Sequence, residues 1–344
     1  MRIKIIVLYI IMCCLVMEAK AIDLKYNGEI PYPQLFEIDP NTLFLVSGSH
    51  LLKFDLPSCQ FKRRLGSSGE GPGEFIRIDR DRGMVLTIET GRIVVNSRHK
   101  ISAFSRAGML LSETKTRNGS FFRQVGQNFV GIHSSLIDQI RYHSVCLYDW
   151  NFKIIRRFHK EPHWYQPNQS INPIKVSLPH FRVINGKIFI LNQAGQISVY
   201  TQMGDPCAKT SFPFPVRKIK QKDREGYHEY YKSHPIYKNH YHALKDRIRF
   251  PESFPPVKYF DVDEKYIYVV SFQKREGKAI IYLFRHSGEC MGKGVADLPE
   301  QIWFEPYPLI RIYKQQWMVL SENPETENIQ LKWIPIEGLR NERQ

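Results

Sequence analysis

Leu51-Leu52-Lys53-Phe54, Ile101-Ser102-Ala103-Phe104, Val145-Cys146-Leu147-Tyr148, Ile197-Ser198-Val199-Tyr200, Ile280-Ile281-Tyr282-Leu283-Phe284 and Ile329-Gln330-Leu331-Lys332-Trp333 are six versions of one stretch. Each is a short strand that ends on an aromatic. The terminal aromatics stand 50, 44, 52, 84 and 49 residues apart. Recurrence at such a period is the sequence signature of a repeat architecture. Gly108, Gly204 and Gly288 each follow their aromatic by four residues, and Tyr148 has Asn151 at a similar offset. Gly and Asn accept the positive φ that tight hairpins need.

Upstream of each aromatic lies a second, more apolar strand, at 43–46, 84–88, 128–132, 187–191, 266–271 and 317–320. These strands lack clean alternation, as strands buried on both faces do. A unit of about 45 residues holding about four short strands is the size of a propeller blade. One such sheet cannot bury its own apolar faces, but a ring of them can. The spacing therefore predicts an all-β chain, a six-bladed β-propeller over 22–344. The strand near 22–26 is expected to pair with the last blade and close the ring. The competing architecture is an open pair of sandwiched sheets.

Composition agrees with a large core. The chain has 344 residues, 42% hydrophobic and 13% aromatic, with only 21 Gly and 21 Pro. Collagen-like and disordered classes are excluded. Residues 1–21 read as an export signal: Arg2 and Lys4, then an uncharged apolar run over 5–17, then Ala19-Lys20-Ala21. That run is short for a membrane anchor. Cleavage after Ala21 implies a periplasmic or extracellular protein. The leader holds three basic residues and one acidic residue, so the formal charge falls from +15 to +13. Four cysteines remain: Cys59, Cys146, Cys207 and Cys290. Their irregular spacing points to mostly unpaired, buried thiols rather than a disulfide framework.

The stretch Gly66-Ser67-Ser68-Gly69-Glu70-Gly71-Pro72-Gly73-Glu74-Phe75 resembles the G-x-x-G-x-GPGEF signature of exported bacterial six-bladed β-propellers related to NHL-repeat proteins. Residues 96–108 are similar to that repeat's paired strands, with Asn96 and Lys100 where Asp and Arg are usual. The segment from Phe250-Pro251 through Pro255-Pro256-Val257 to Tyr259 and Asp261 resembles the family as well. The resemblance covers most of 22–338 and implies the fold and an exported location. Some related propellers are lyases or lactone hydrolases with a metal in the channel. Read physically, 66–75 is a loop of fixed shape between blades. A phosphate loop would need a Lys and a following helix, and neither is present.

The interval from Tyr200 to Phe284 exceeds the usual pitch and holds an insertion at about 214–256, between blades 4 and 5. It is basic and rich in Tyr and His. A helix is expected between Gln221 and Tyr231, with Asp223 at its start, and a second over 239–247. Arg224, Tyr227, His228, Tyr230, Tyr231, His240 and His242 are the candidate partner-binding residues, being amphipathic types favoured at interfaces. Three readings compete there: a recognition surface, imidazole ligands for a metal (His240 and His242, with His228 or His234), and a packed lid. The i, i+2 spacing of His240 and His242 is poor for a metal on a helix. No metal is assigned, and no catalytic residue or cofactor is identified.

The charge favours polyanions, including an anionic surface, but no nucleic-acid motif accompanies it. No nucleophile elbow, zincin or dinucleotide fingerprint appears. Glu89, Asn96, His133, Asn192, Ser271 and Glu322 stand near strand ends as candidate channel groups. The sequence thus points to a monomeric, non-catalytic platform binding a protein, peptide or glycan on the face bearing the insertion. The alternative is a metal-dependent hydrolase or lyase in the central channel.

Overall fold

A computed structural model describes residues 20–339 apart from 29, 31–32, 76–84, 90, 98–99, 117–118, 164–169, 175–178, 193, 211–215, 234–237 and 300–308. The chain enters as β1 (Lys20–Asp23). Blade 1 holds β2 (Pro33–Asp39), β3 (Thr42–Ser47), β4 (His50–Asp55) and β5 (Phe61–Leu65). A short parallel pair follows, β6 (Ser67–Ser68) and β7 (Glu74–Phe75). Blade 2 holds β8 (Val85–Glu89), β9 (Arg92–Ser97), β10 (Lys100–Ser105) and β11 (Leu110–Lys115). Blade 3 holds β12 (Ser120–Val125), β13 (Asn128–Ile137), β14 (Ile140–Tyr148) and β15 (Ile154–Pro162). Blade 4 holds β16 (His180–Ile184), β17 (Lys187–Leu191), β18 (Ile197–Thr201) and β19 (Pro206–Lys209). Two helices come next, Gln221–Ser233 and Lys238–Leu244, the second continued by a 3-10 turn at Lys245–Arg247. Blade 5 holds β20 (Val257–Val262), β21 (Tyr266–Arg275), β22 (Lys278–Arg285) and β23 (Cys290–Ala296). Blade 6 has β24 (Ile310–Tyr313), β25 (Gln316–Glu322) and β26 (Ile329–Pro335). Among the described residues no helix is long and apolar enough to cross a membrane.

The first strand of each blade touches the first strand of the next, and β24 touches β2, so the six sheets close into a wheel. Closure is made by chain pairing as well. β1 adds itself antiparallel to β26 as the fourth strand of blade 6, with Ile22 opposite Leu331. The closing strand is Lys20–Asp23, beginning two residues before the 22–26 expected from sequence. Within a blade the strands alternate direction. The turns joining first to second and third to fourth strands therefore leave one side of the wheel, here the turn face. The middle hairpins and the links between blades leave the other, the link face.

The hydrophobic core is divided into six clusters, one at each seam between neighbouring blades. Phe44 and Leu51 of blade 1 meet Leu86 and Phe104 of blade 2, for example. Leu24, just after β1, is buried with Phe36 and Phe54 of blade 1 and Met318 of blade 6. This is why the second strands read as unbroken apolar runs: each blade is covered on both faces.

The repeated glycines latch blade to blade. Gly108, Gly204 and Gly288 have φ of 87°, 88° and 90°. Each lies in a turn between third and fourth strands and touches the outer strand of the preceding blade. Arg156 of β15 donates to the Gly204 carbonyl at 2.6 Å. A methyl group at Gly288 would stand 2.6 Å from the Lys209 carbonyl oxygen of β19. Gly288→Ala is therefore expected to cost about 1–3 kcal/mol, from the left-handed backbone and a backbone clash together. Urea denaturation against the parent protein measures it, and an unchanged midpoint would refute the latch. In blade 3 the left-handed residue is Phe152 (φ 61°), not Asn151 as the spacing suggested. Its amide makes the same turn bond, to the Asp149 carbonyl at 3.0 Å. A bulky residue at such a φ is strained. Stacking on Phe129, with ring centres 5.3 Å apart, offsets that strain.

The 66–75 loop is seated as a clamp between blades 1 and 2. Phe75 is fully buried, edge-on to Phe104. Lys100 donates to the Gly71 carbonyl at 2.7 Å, and Gly73 N–H to the Glu113 carboxylate at 3.0 Å. Asn96, standing in for Asp, still ties blade 2 to blade 3: its Oδ1 accepts the Phe122 amide at 2.8 Å. The four cysteines among the described residues are unpaired, but only Cys59 and Cys146 are buried. Cys207 and Cys290 are exposed, because β19 and β23 are outer strands with one edge in water.

Candidate functional site

The first strands converge on a buried ionic hub. Glu37 (β2) lies 3.2 Å from Arg123 (β12), 3.1 Å from Arg311 (β24) and 3.7 Å from Arg182 (β16). Arg182 also meets Asp261 (β20) at 2.9 Å and donates to the Tyr259 hydroxyl at 2.6 Å. Arg123 donates to the Leu86 carbonyl of β8 at 2.9 Å, and Ile312 N–H to Asp261 at 2.8 Å. Groups from all six blades thus meet, and residues spaced around a wheel can meet only at its axis.

The three guanidinium side chains are 4–6% exposed. Burial alone would push the Glu37 carboxyl up, but Arg311, Arg123 and Arg182 together hold it at about 2. Charges in a low-dielectric setting interact strongly, so each is locked by the others. Three cations face two carboxylates. His180, at the top of β16, is kept neutral by burial and by the same arginines.

The hub fills the axis at this level. Of the channel candidates named from sequence, five lie off the first strands that build it. Asn96, His133, Ser271 and Glu322 are on second strands, and Asn192 follows one. Glu89 belongs to β8, a first strand. Among the described residues no group of three or more His, Cys, Asp or Glu side chains is placed to hold a metal ion. The hub was legible in one respect that the sequence reading missed. Five of the six first strands supply one charged residue to it, each next to an apolar or aromatic neighbour, as in Leu35-Phe36-Glu37-Ile38 and His180-Phe181-Arg182-Val183.

The two helices lie on the link face. Residues 217–219 pair antiparallel with 252–254, so the excursion leaves and returns at one stem. It is stitched to the link before blade 4 by an Ile171–Ile248 bridge. Asp223 starts the longer helix as expected: its carboxylate accepts the Lys220 amide at 2.9 Å and pairs with Arg217 at 2.7 Å. This is the reach-back of an N-terminal capping residue.

The seven candidate partner-binding residues separate into two sets. Tyr227 is buried with Ile219, Phe254 and the core of the seam between blades 5 and 6. It anchors the helix and is out of reach of a partner. Tyr231, half-buried, donates to the Pro173 carbonyl at 3.2 Å, and Tyr230 lies edge-on against it. His228 Nδ1 is 3.0 Å from the Tyr241 hydroxyl, and its ring meets Phe250. Arg224, His240 and His242 are exposed. His234, part of the metal reading, lies outside the described residues.

No family model matches the chain, and no curated protein matches it. Solved structures do. BamB from Moraxella catarrhalis is 10% identical, with 87% of this chain and 71% of that one covered and a TM-score of 0.31. BBS1N, crystallised in complex with ARL6DN, is 9% identical over 90% and 80%, with a TM-score of 0.37. The AfRom2 CNH domain is 10% identical over 92% and 98%, with a TM-score of 0.37. At such identities and scores these likenesses say nothing of what the chain binds.

Proposed function

We propose that this chain is an exported, non-catalytic platform that binds an acidic protein or peptide on its link face. One observation carries the reading. The helical excursion is tied down on its inner side by Tyr227, Tyr231 and a double stem, yet its outer side offers exposed cations and imidazoles. Lys222, Arg224, Lys238, His240 and His242 are all exposed. A rigid support spares a partner much of the ordering cost of binding. Complementary charge speeds encounter and selects partners. Kinship with exported NHL-related propellers is part of the proposal, supported by the way the 66–75 loop is clamped between blades.

Export rests on the pattern of residues 1–21, of which 1–19 lie outside the described residues. Cleavage after Ala21 leaves Ile22, Asp23 and Leu24 to close the ring. N-terminal sequencing of the mature protein tests this directly. For binding, a photo-crosslinking residue at His240 or His242 is expected to capture a protein in the producing cell. Charge reversal at Lys222, Arg224 and Lys238 is expected to weaken that capture about tenfold or more, since buried or rim charge pairs govern such encounters. Capture that ignores the reversal, or none from either position, removes the proposal.

A further inference from the structure

We propose that the rim of blades 2, 3 and 4 on the turn face is a contact surface for an anionic lipid bilayer. Eight large hydrophobic residues are exposed among the described residues. Five of them fall at one place. Met109 (65% exposed), Trp150 (51%) and Met203 (62%) sit in the turns between third and fourth strands of three consecutive blades. Leu111 and Ile155 are each the second residue of the strand that follows such a turn.

The five are strung along one rim, turn by turn. Trp150 and Phe152 line the seam with Ser112, next to Leu111. Phe152 stands where Gly latches blades 2, 4 and 5, so this seam is held by aromatic rings and not by a close backbone contact. On the other side, the Met203–Gly204 turn rests on Arg156, next to Ile155. Exposed cations lie among the apolar tips: Lys153, Arg156 and Arg157. The exposed acid beside them, Asp205, is 3.4 Å from Arg156.

This composition suits a lipid surface. Trp prefers the interface between headgroup and acyl chain. Aliphatic and thioether tips insert shallowly, and nearby cations pair with anionic headgroups. Apolar tips spread over successive turns suit a deformable bilayer, whereas a protein partner needs a matched, continuous patch. The rim lies at the opposite end of the outer strands from the helical excursion, so both surfaces can be engaged together.

The test uses the mature chain beginning at Ile22, which keeps all six sheets and the closing residues Ile22, Asp23 and Leu24. It is mixed with phosphatidylcholine vesicles, with and without phosphatidylglycerol. Co-sedimentation is expected with the anionic vesicles, and salt should weaken it without abolishing it. Met109→Ser, Trp150→Ser and Met203→Ser together are expected to lower partitioning about tenfold or more, as apolar area sets the affinity. Trp150→Phe keeps the apolar contact and guards against misfolding of the triple variant. With brominated lipid the parent's tryptophan emission should be quenched, and Trp150→Phe should bind but lose that quenching. No partitioning into anionic vesicles overturns the proposal. So does quenching that survives Trp150→Phe, or a folded triple variant that binds like the parent.

Discussion

Replacing Glu37 by leucine should destabilise the wheel by about 3–5 kcal/mol, the typical cost of stripping one partner from a buried charge network. The change leaves the buried Arg123, Arg182 and Arg311 facing Asp261 alone. Urea denaturation reads the loss. Adding Arg311→Met should recover part of it, because the two residues are directly coupled. If Glu37→Leu costs less than about 1 kcal/mol, the hub is a tolerated plug and not a tie between blades.

The same carboxylate fixes a pH dependence. Its ordinary value of 4.5 falls to about 2 in the folded protein. The unfolded chain therefore takes up a proton first as pH drops. The stabilisation is complete above about pH 4.5 and is lost progressively down to about pH 2, in total about 3 kcal/mol. Glu37→Gln should flatten the acid limb of a stability-versus-pH curve over that window. An unchanged limb would place the acid sensitivity in other carboxylates.

Removing residues 20–24 should cost about 3–5 kcal/mol, from burial of Leu24 and Ile22 together with the lost strand pairing. The deletion leaves blade 6 with three strands and opens the seam to blade 1, where Phe36, Phe54 and Met318 would meet water. Unfolding should then broaden or split, since a ring without its clasp loses its all-or-none character. Circular dichroism melts report it. A synthetic peptide of residues 20–24 added in excess should restore part of the midpoint by re-forming the strand. A deletion variant that melts like the parent would mean that the inner strands and hub alone hold the circle.

What could be read without coordinates was local or periodic. The aromatic-ending strands, the glycines four residues later and the closing strand each repeat a pattern that a short window displays. Asp223 at the helix start is equally local, because a cap acts within one turn. Asn151 shows the limit of that: its offset suggests the left-handed turn residue, but packing against Phe129 and Phe122 gives that place to Phe152. Tyr227, His228 and Tyr231 read alike in a line of text, and only folding separates a buried Tyr227 from the half-buried His228 and Tyr231.

The number of sheets, their order and the strand that joins the ends all follow from a repeating period of hydrophobicity and turns. That Glu37, Arg123, Arg182, Asp261 and Arg311 form one network, and that Met109, Trp150 and Met203 share one rim, emerges only on folding. Those residues come from separate blades, and each is unexceptional in its own strand or turn. Their meeting follows from the angle at which blades pack around an axis, a property of the closed ring that no single window of sequence contains.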